Sequence, residues 1–348
     1  MKSKRKTLSV ALLAGVAAVS SAAVPAVAFL PSSVRGGADP GGTDTGQSGG
    51  SFGTVKQIDA GELNVGYIDA GPADGPAVIL LHGFPYDIHS YERVAPILAN
   101  KGYRVIVPYL RGHGTTEFRS ANAVRNAEQS AFAVDIVALM DALKIPKAIL
   151  AGFDWGSRTA DIIAALWPER VKSLVSVSGY LITNRKAQEK PQKPSYEHTW
   201  WYQYYFATPR GEKGLAAYRN DFGEFVWKLA SPTWKFTQKT YDRTAAAFAN
   251  PDWVPIVIHN YRWRLSLANG QPAYADLEAK LAASPKISVP TVTVDADRDP
   301  FGSGGSDAAY RSQFTGPYKH IVLTGIGHDV PQEAPAAFAQ AVLDSAAL

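Results

Sequence analysis

Residues 151–160 read AGFDWGSRTA, and inside them Gly152, Phe153, Asp154, Trp155 and Gly156 form a pentapeptide flanked by glycines. Such a pentapeptide, most often G-x-S-x-G, makes the sharp strand-to-helix turn that lifts a nucleophile above a parallel sheet. Here aspartate stands where serine is usual. A carboxylate is ionised at neutral pH and attacks without a base to activate it. Three other features share its chemistry. His82-Gly83-Phe84-Pro85 follows the apolar run AVILL, so the backbone N–H of Phe84, together with that of Trp155, is placed to form an oxyanion hole. Asp299 lies in VDADRDPF, past the run VTV; it is preferred to Asp295 and Asp297 because it stands further beyond the strand, in reach of a histidine. That histidine is His328, in LTGIGHDVPQEAP after the last apolar run. Each piece alone is weak; nucleophile, acid and histidine in that order, each past a strand, form one constellation.

The elements that must position these residues are legible as alternating runs. TVKQIDAGELNVGYIDAG reads as two strands joined by an Ala-Gly turn. Strand and helix then alternate: AVILLHG, YERVAPILANKG, YRVIVPYL, NAVRNAEQSAFAVDIVALMDAL, KAILAGF, SRTADIIAALWPER, VKSLVSVSG. Continuous β-branched runs between helices predict a mostly parallel sheet with helices on both faces, and ligands then sit at the strands' carboxyl ends. The alternation stops between about residues 180 and 285, where Trp, Tyr and Arg abound and only helical patterns appear. Strand signals resume at VPTVTVDAD and HIVLTGIG, and APAAFAQAVLDSAAL closes as a helix. The expectation is an α/β fold over residues 54–348 with a helical lid, at about 180–285, inserted between the sixth and seventh strands.

The start of the chain reads differently. MKSKRK followed by LSVALLAGVAAVSSAAV and Ala26-Val27-Ala28 has the basic, apolar and A-x-A parts of a cleavable signal, predicting that residues 1–28 are removed and the protein is secreted. Residues 29–53, rich in Gly, Ser, Pro and Asp, read as a flexible linker. The signal carries Lys2, Lys4, Arg5 and Lys6 and no acid, so the net charge of +4 falls to zero without it. A neutral mature chain argues against nucleic acid and, once the signal is cleaved, against membranes as partners. The chain has no cysteine, hence no disulfide and no thiol nucleophile.

From about residue 54 to its end the chain resembles the α/β-hydrolase superfamily. Within it, G-F-D-W-G and H-G-F-P are similar to the group with an aspartate nucleophile: epoxide hydrolases above all, with haloalkane and fluoroacetate dehalogenases next. The resemblance implies a hydrolase without a cofactor, acting on a small molecule. Asp154 would attack a saturated carbon to form an alkyl ester, and His328, oriented by Asp299, would activate the water that hydrolyses it. It also implies two acids that protonate an epoxide oxygen. Tyr202, in Y-Q-Y-Y-F, and Tyr261, followed by Arg262, match the two tyrosine patterns of epoxide hydrolases. In a dehalogenase, Trp155 and a tryptophan such as Trp201 would instead cradle a halide.

Arg158, four residues after Asp154, departs from the epoxide hydrolase pattern. Fluoroacetate dehalogenases hold a carboxylate with arginines directly after the nucleophile and at this position; Trp155 occupies the first, so half of that clamp is absent. Arg158 is read either as a substrate-binding residue or as one half of a salt bridge. His113, in R-G-H-G, is read as structural. Residues 295–299 lack the glycine and distal glutamate of a calcium loop, so no metal is assigned. A non-catalytic binding protein on the same scaffold is the alternative from another class; the intact acid and histidine argue against it.

Overall fold

The computed structural model describes residues 52–348. The expected signal, residues 1–28, and nearly all of the expected linker lie outside the described residues. No helix among the described residues is long and apolar enough to cross a membrane.

Nine strands are described: β1 (Lys56–Ala60), β2 (Leu63–Ala70), β3 (Ala77–Leu81), β4 (Arg104–Pro108), β5 (Glu117–Phe118), β6 (Ala148–Gly152), β7 (Val171–Val177), β8 (Thr291–Ala296) and β9 (Tyr318–Leu323). They form one sheet in the order β1-β2-β4-β3-β6-β7-β8-β9, with β5 beside β2. All pairings from β4 across to β9 are parallel, while those of β2 with β1, β4 and β5 are antiparallel. In the middle of the sheet Ile79 opposes Ile106 and Leu150, and Leu150 opposes Leu174. These side chains are fully buried, as strands covered on both faces require.

The helices are α1 (Val94–Ala99), α2 (Gln129–Ala142), α3 (Trp155–Leu166), α4 (Pro194–Thr199), α5 (Trp201–Phe206), α6 (Pro209–Ala217), α7 (Arg219–Ala230), α8 (Gln238–Ala245), α9 (Trp253–Arg264), α10 (Ala275–Ala282), α11 (Val330–Glu333) and α12 (Pro335–Ala347). α1 packs with α12 on one face of the sheet, and α2 packs with α3 on the other. α4 to α10 all fall between β7 and β8, with no strand among them. The sequence foresees this insertion after the sixth strand; the two-residue β5, too short to show a periodicity, moves the count by one.

Two helices differ from expectation. The pattern from residue 122 predicts a helix that in fact starts at Gln129. The backbone before it is engaged elsewhere: Arg111 donates to Asn126 O at 2.8 Å, the Ala127 N–H donates to His259 at 2.9 Å, and Asn260 donates to Ala127 O at 2.7 Å. Likewise EKGLAAYRNDFGEFVWKLA is broken at Tyr218, whose φ of −127° and ψ of 36° leave the helical region and separate α6 from α7.

The insertion is fastened to the sheet domain near the loop after β3. The Trp227 indole of α7 donates to Pro85 O at 2.9 Å, and Thr244 of α8 donates to Asp87 at 2.9 Å. These bonds set the helical layer over the carboxyl ends of the strands.

Candidate active site

β6 runs into α3 through a turn that leaves little room. A Cβ on Gly156 would lie 1.9 Å from Leu81 O, and one on Gly152 would lie 2.5 Å from the Gly156 carbonyl carbon. Only glycine permits this approach of helix to sheet. Between them Asp154 is held at φ 51° and ψ −120°, a region costly for a side chain. Ser157 ties the turn down, donating to Gly152 O at 2.7 Å and accepting from Val177 N at 2.9 Å.

The Phe84 N–H donates to Asp154 Oδ1 at 2.8 Å, so the loop after β3 reaches the carboxylate as its spacing predicts. The other oxygen, Oδ2, lies 3.7 Å from His328 Nε2, beyond a direct hydrogen bond. His328 Nδ1 is 2.8 Å from Asp299 Oδ2, and the Phe301 N–H donates to Asp299 Oδ1 at 2.9 Å. Asp295 and Asp297 are occupied elsewhere: Asp295 accepts from the Tyr310 hydroxyl at 2.6 Å and Asp297 from the Gly325 N–H at 2.6 Å.

Electrostatics couples the triad. Burial pushes the Asp154 carboxyl up, but His328, Arg158 and the Phe84 N–H outweigh it and hold it below its ordinary value. For His328 burial acts downward, and the charge and hydrogen bond of Asp299, together with the charge of Asp154, raise it well above the ordinary imidazole range. The resting pair is thus an anion beside a cation.

Tyr202, on α5, and Tyr261, on α9, meet edge to face with centroids 5.4 Å apart, and both are buried; neither is among the residues bordering the cavity at Asp154. Burial raises the affinity of each phenol for its proton, and the charge of Asp154 raises it further. Arg264 acts the other way on both.

The two tryptophans sit apart from the expected places. Trp155 lies parallel to Phe84, centroids 5.1 Å apart, with its edge on Phe132; its Nε1 is enclosed without a partner, and the indole does not line the cavity at Asp154. The apolar ring has packed down into the core. Trp201 lines an outer groove of the insertion with Tyr205, Phe222 and Phe225. Its neighbour Trp200 lines the Asp154 cavity, because consecutive residues at a helix start point in directions about 100° apart. Trp201, the indole expected from the insertion, is therefore not at Asp154.

The cavity measures about 500 Å³ and is bordered by Asp154, His328, Trp200, Phe301 and Arg158. Arg158 donates from Nε to Leu181 O at 3.2 Å, but the salt bridge considered for it is absent among the described residues. A second arginine, Arg264, borders the same cavity and was not foreseen. The sequence held a signal for it: Arg264 follows Tyr261 by three residues, hence shares its helical face. Ser231 and Glu333, which brace His328, gave no such signal. The His328 N–H donates to Ser231 Oγ at 3.1 Å, and Ser231 donates to Glu333 at 2.7 Å across 102 positions of sequence. His113 is buried, with Nδ1 3.1 Å from Arg111 O and its ring against His82, a packing role.

This sheet and the strand-to-helix turn after β6 define a class, and the chain belongs to the α/β-hydrolase family, whose model matches residues 76–263. Within it the chain is a hydrolase similar to epoxide hydrolases. Epoxide hydrolase A of Mycobacterium tuberculosis is 24% identical over 84% of this chain and 96% of its own length. A haloalkane dehalogenase of Mycobacterium marinum is 31% identical over 71% of this chain and 76% of its own. The crystal structure of a proposed epoxide hydrolase from Klebsiella pneumoniae is 57% identical, covers 87% of this chain and 100% of that one, and superposes with a TM-score of 0.85.

Proposed function

We propose that the protein opens epoxides to diols through an ester on Asp154. The observation that carries this reading is Asp154 in the elbow with Oδ1 on the Phe84 N–H and Oδ2 facing His328. Asp154 attacks an oxirane carbon, the C–O bond breaks, and the departing alkoxide takes a proton from Tyr202 or Tyr261. The ester has no charge, so His328 loses one of the two anions that hold its proton; that proton passes to the tyrosinate, restoring the tyrosine, and the neutral imidazole is a base. It then takes a proton from water as the hydroxide adds to the ester carbonyl. The oxyanion falls to the N–H groups of Phe84 and Trp155, and collapse releases the diol and the Asp154 carboxylate. His328 keeps the proton taken from water, so Asp154, His328 and the tyrosine all regain their starting states, and the sum is epoxide plus water to diol. The helical insertion serves as a lid carrying both tyrosines.

Dehalogenation is less well supported, because Trp201 faces an outer groove and the structure 57% identical to this chain is that of a proposed epoxide hydrolase. Incubation with styrene oxide and with a bromoalkane distinguishes the two, diol being expected without bromide; bromide without diol overturns the assignment. His328→Gln is expected to accumulate the ester, seen as a mass increase on the peptide holding Asp154.

A further inference from the structure

Arg158 and Arg264 reach the same cavity from opposite layers, Arg158 from α3, packed on β3, β6 and β7, and Arg264 from the last turn of α9 in the insertion. Among the described residues neither has a carboxylate within salt-bridge distance. Arg158 is 7% exposed, and among the described residues its guanidinium gives a single hydrogen bond, from Nε to Leu181 O. Arg264 gives none, and its Nε is enclosed without a partner. Its guanidinium lies 5.9 Å from the centroid of Trp200 and 5.7 Å from that of Tyr261, contacts that orient the fork without using its N–H donors.

The acids nearby do not answer these charges. Asp161 is buried, its Oδ2 accepts from the Leu181 N–H at 2.7 Å, and burial pushes its pKa up to about 8, which leaves it neutral at pH 7. Glu197 is engaged by the Tyr204 hydroxyl and the Gln192 N–H. Asp154 is the anion that acts most on Arg158, and it is spent once the ester forms. Two guanidinium groups in one recess repel each other: burial first, then Arg264, brings Arg158 down to about 10. Such a pair is stable with an anion between its donors, and its planar forks suit a carboxylate.

We infer that Arg158 and Arg264 form an anion subsite beside Asp154, and that the preferred substrates are short epoxides carrying a carboxylate close to the oxirane. The inference rests on the epoxide-opening reading and adds no chemical step to it. Arg158 stands one helical turn, about 6 Å, from Asp154, which allows only a few bonds between the carboxylate and the carbon attacked. Without the two cations, that carboxylate and Asp154 would repel, so the subsite also makes attack on an anionic substrate feasible.

The full chain is assayed with glycidate, glycidamide and styrene oxide. A carboxylate held by charge-assisted bonds is expected to raise kcat/KM for glycidate at least about tenfold over glycidamide. Arg264→Met and Arg158→Met are expected to remove that preference, and Arg264→Lys to keep part of it. An equal loss on glycidate and glycidamide would mean that Arg264 only acidifies the tyrosines, and would overturn the subsite. So would opening of glycidamide or styrene oxide without preference for glycidate. Failure to open any of the three would instead remove the epoxide reading itself. If the variants do not fold, the wild type still decides: propionate is expected to compete with styrene oxide and propionamide is not, and equal competition overturns the subsite.

Discussion

At the scale of single residues, the charges of Asp154, His328 and Asp299 are set by one another. The two carboxylates facing His328 raise its pKa well above the ordinary imidazole range, against burial, which acts to lower it. Asp299→Asn removes one of those anions, so the imidazole pKa falls. In the proposed mechanism His328 acts as base only above its pKa, so the acid limb of ester hydrolysis should move to lower pH. The maximal rate should also drop by about 10² or more, because the weaker base is no longer oriented. Single-turnover kinetics would show ester formation less affected than ester breakdown. A profile that is unshifted, or shifted to higher pH, would contradict this arrangement of charges. Asp154, His328 and Asp299 were all readable from the sequence, each standing just past an apolar run. Arg264 and Trp200 were less so, because which of several adjacent aromatic and basic side chains faces inward depends on where each short helix begins.

At the scale of elements, the histidine loop after β9 is held by the end of α7. Ser231 accepts from the His328 N–H and donates to Glu333, which in turn accepts from the Gly327 N–H at 2.8 Å. Ser231→Ala leaves Glu333 short of a partner and should cost about 1 kcal/mol in stability. Its effect on rate should be selective, slowing ester breakdown more than ester formation, since the bond positions His328 and not Asp154. Denaturant unfolding and single-turnover measurements together check both parts. None of this is visible in the sequence, where Ser231 closes an amphipathic helix and looks like any other polar cap.

At the scale of the whole molecule, the loop after β4 is locked to α2 by a buried arginine. Arg111 is fully enclosed, donates to Asp135 at 2.6 and 2.8 Å, and reaches both the carbonyl and the side chain of Asn126. Arg111→Met would leave Asp135 buried and unpaired, and should cost about 3–5 kcal/mol, measured by denaturant unfolding. The refolded variant should retain the Asp154–His328 pair, because Arg111 touches neither. A loss under 1 kcal/mol would show that the network carries little of the stability.

The sequence by itself determined the strand and helix alternation, the site of the insertion, the elbow and the order Asp154, Asp299, His328. These follow from periodicity and from glycine spacing, which are local properties of the chain. The tertiary structure decided what meets across the cavity. It set which tryptophan faces it, it joined Arg158 to Arg264 across 106 positions of sequence, and it braced His328 through Ser231 and Glu333. Such contacts depend on how the insertion's helices begin, turn and dock on the sheet, and no short-range pattern records that geometry.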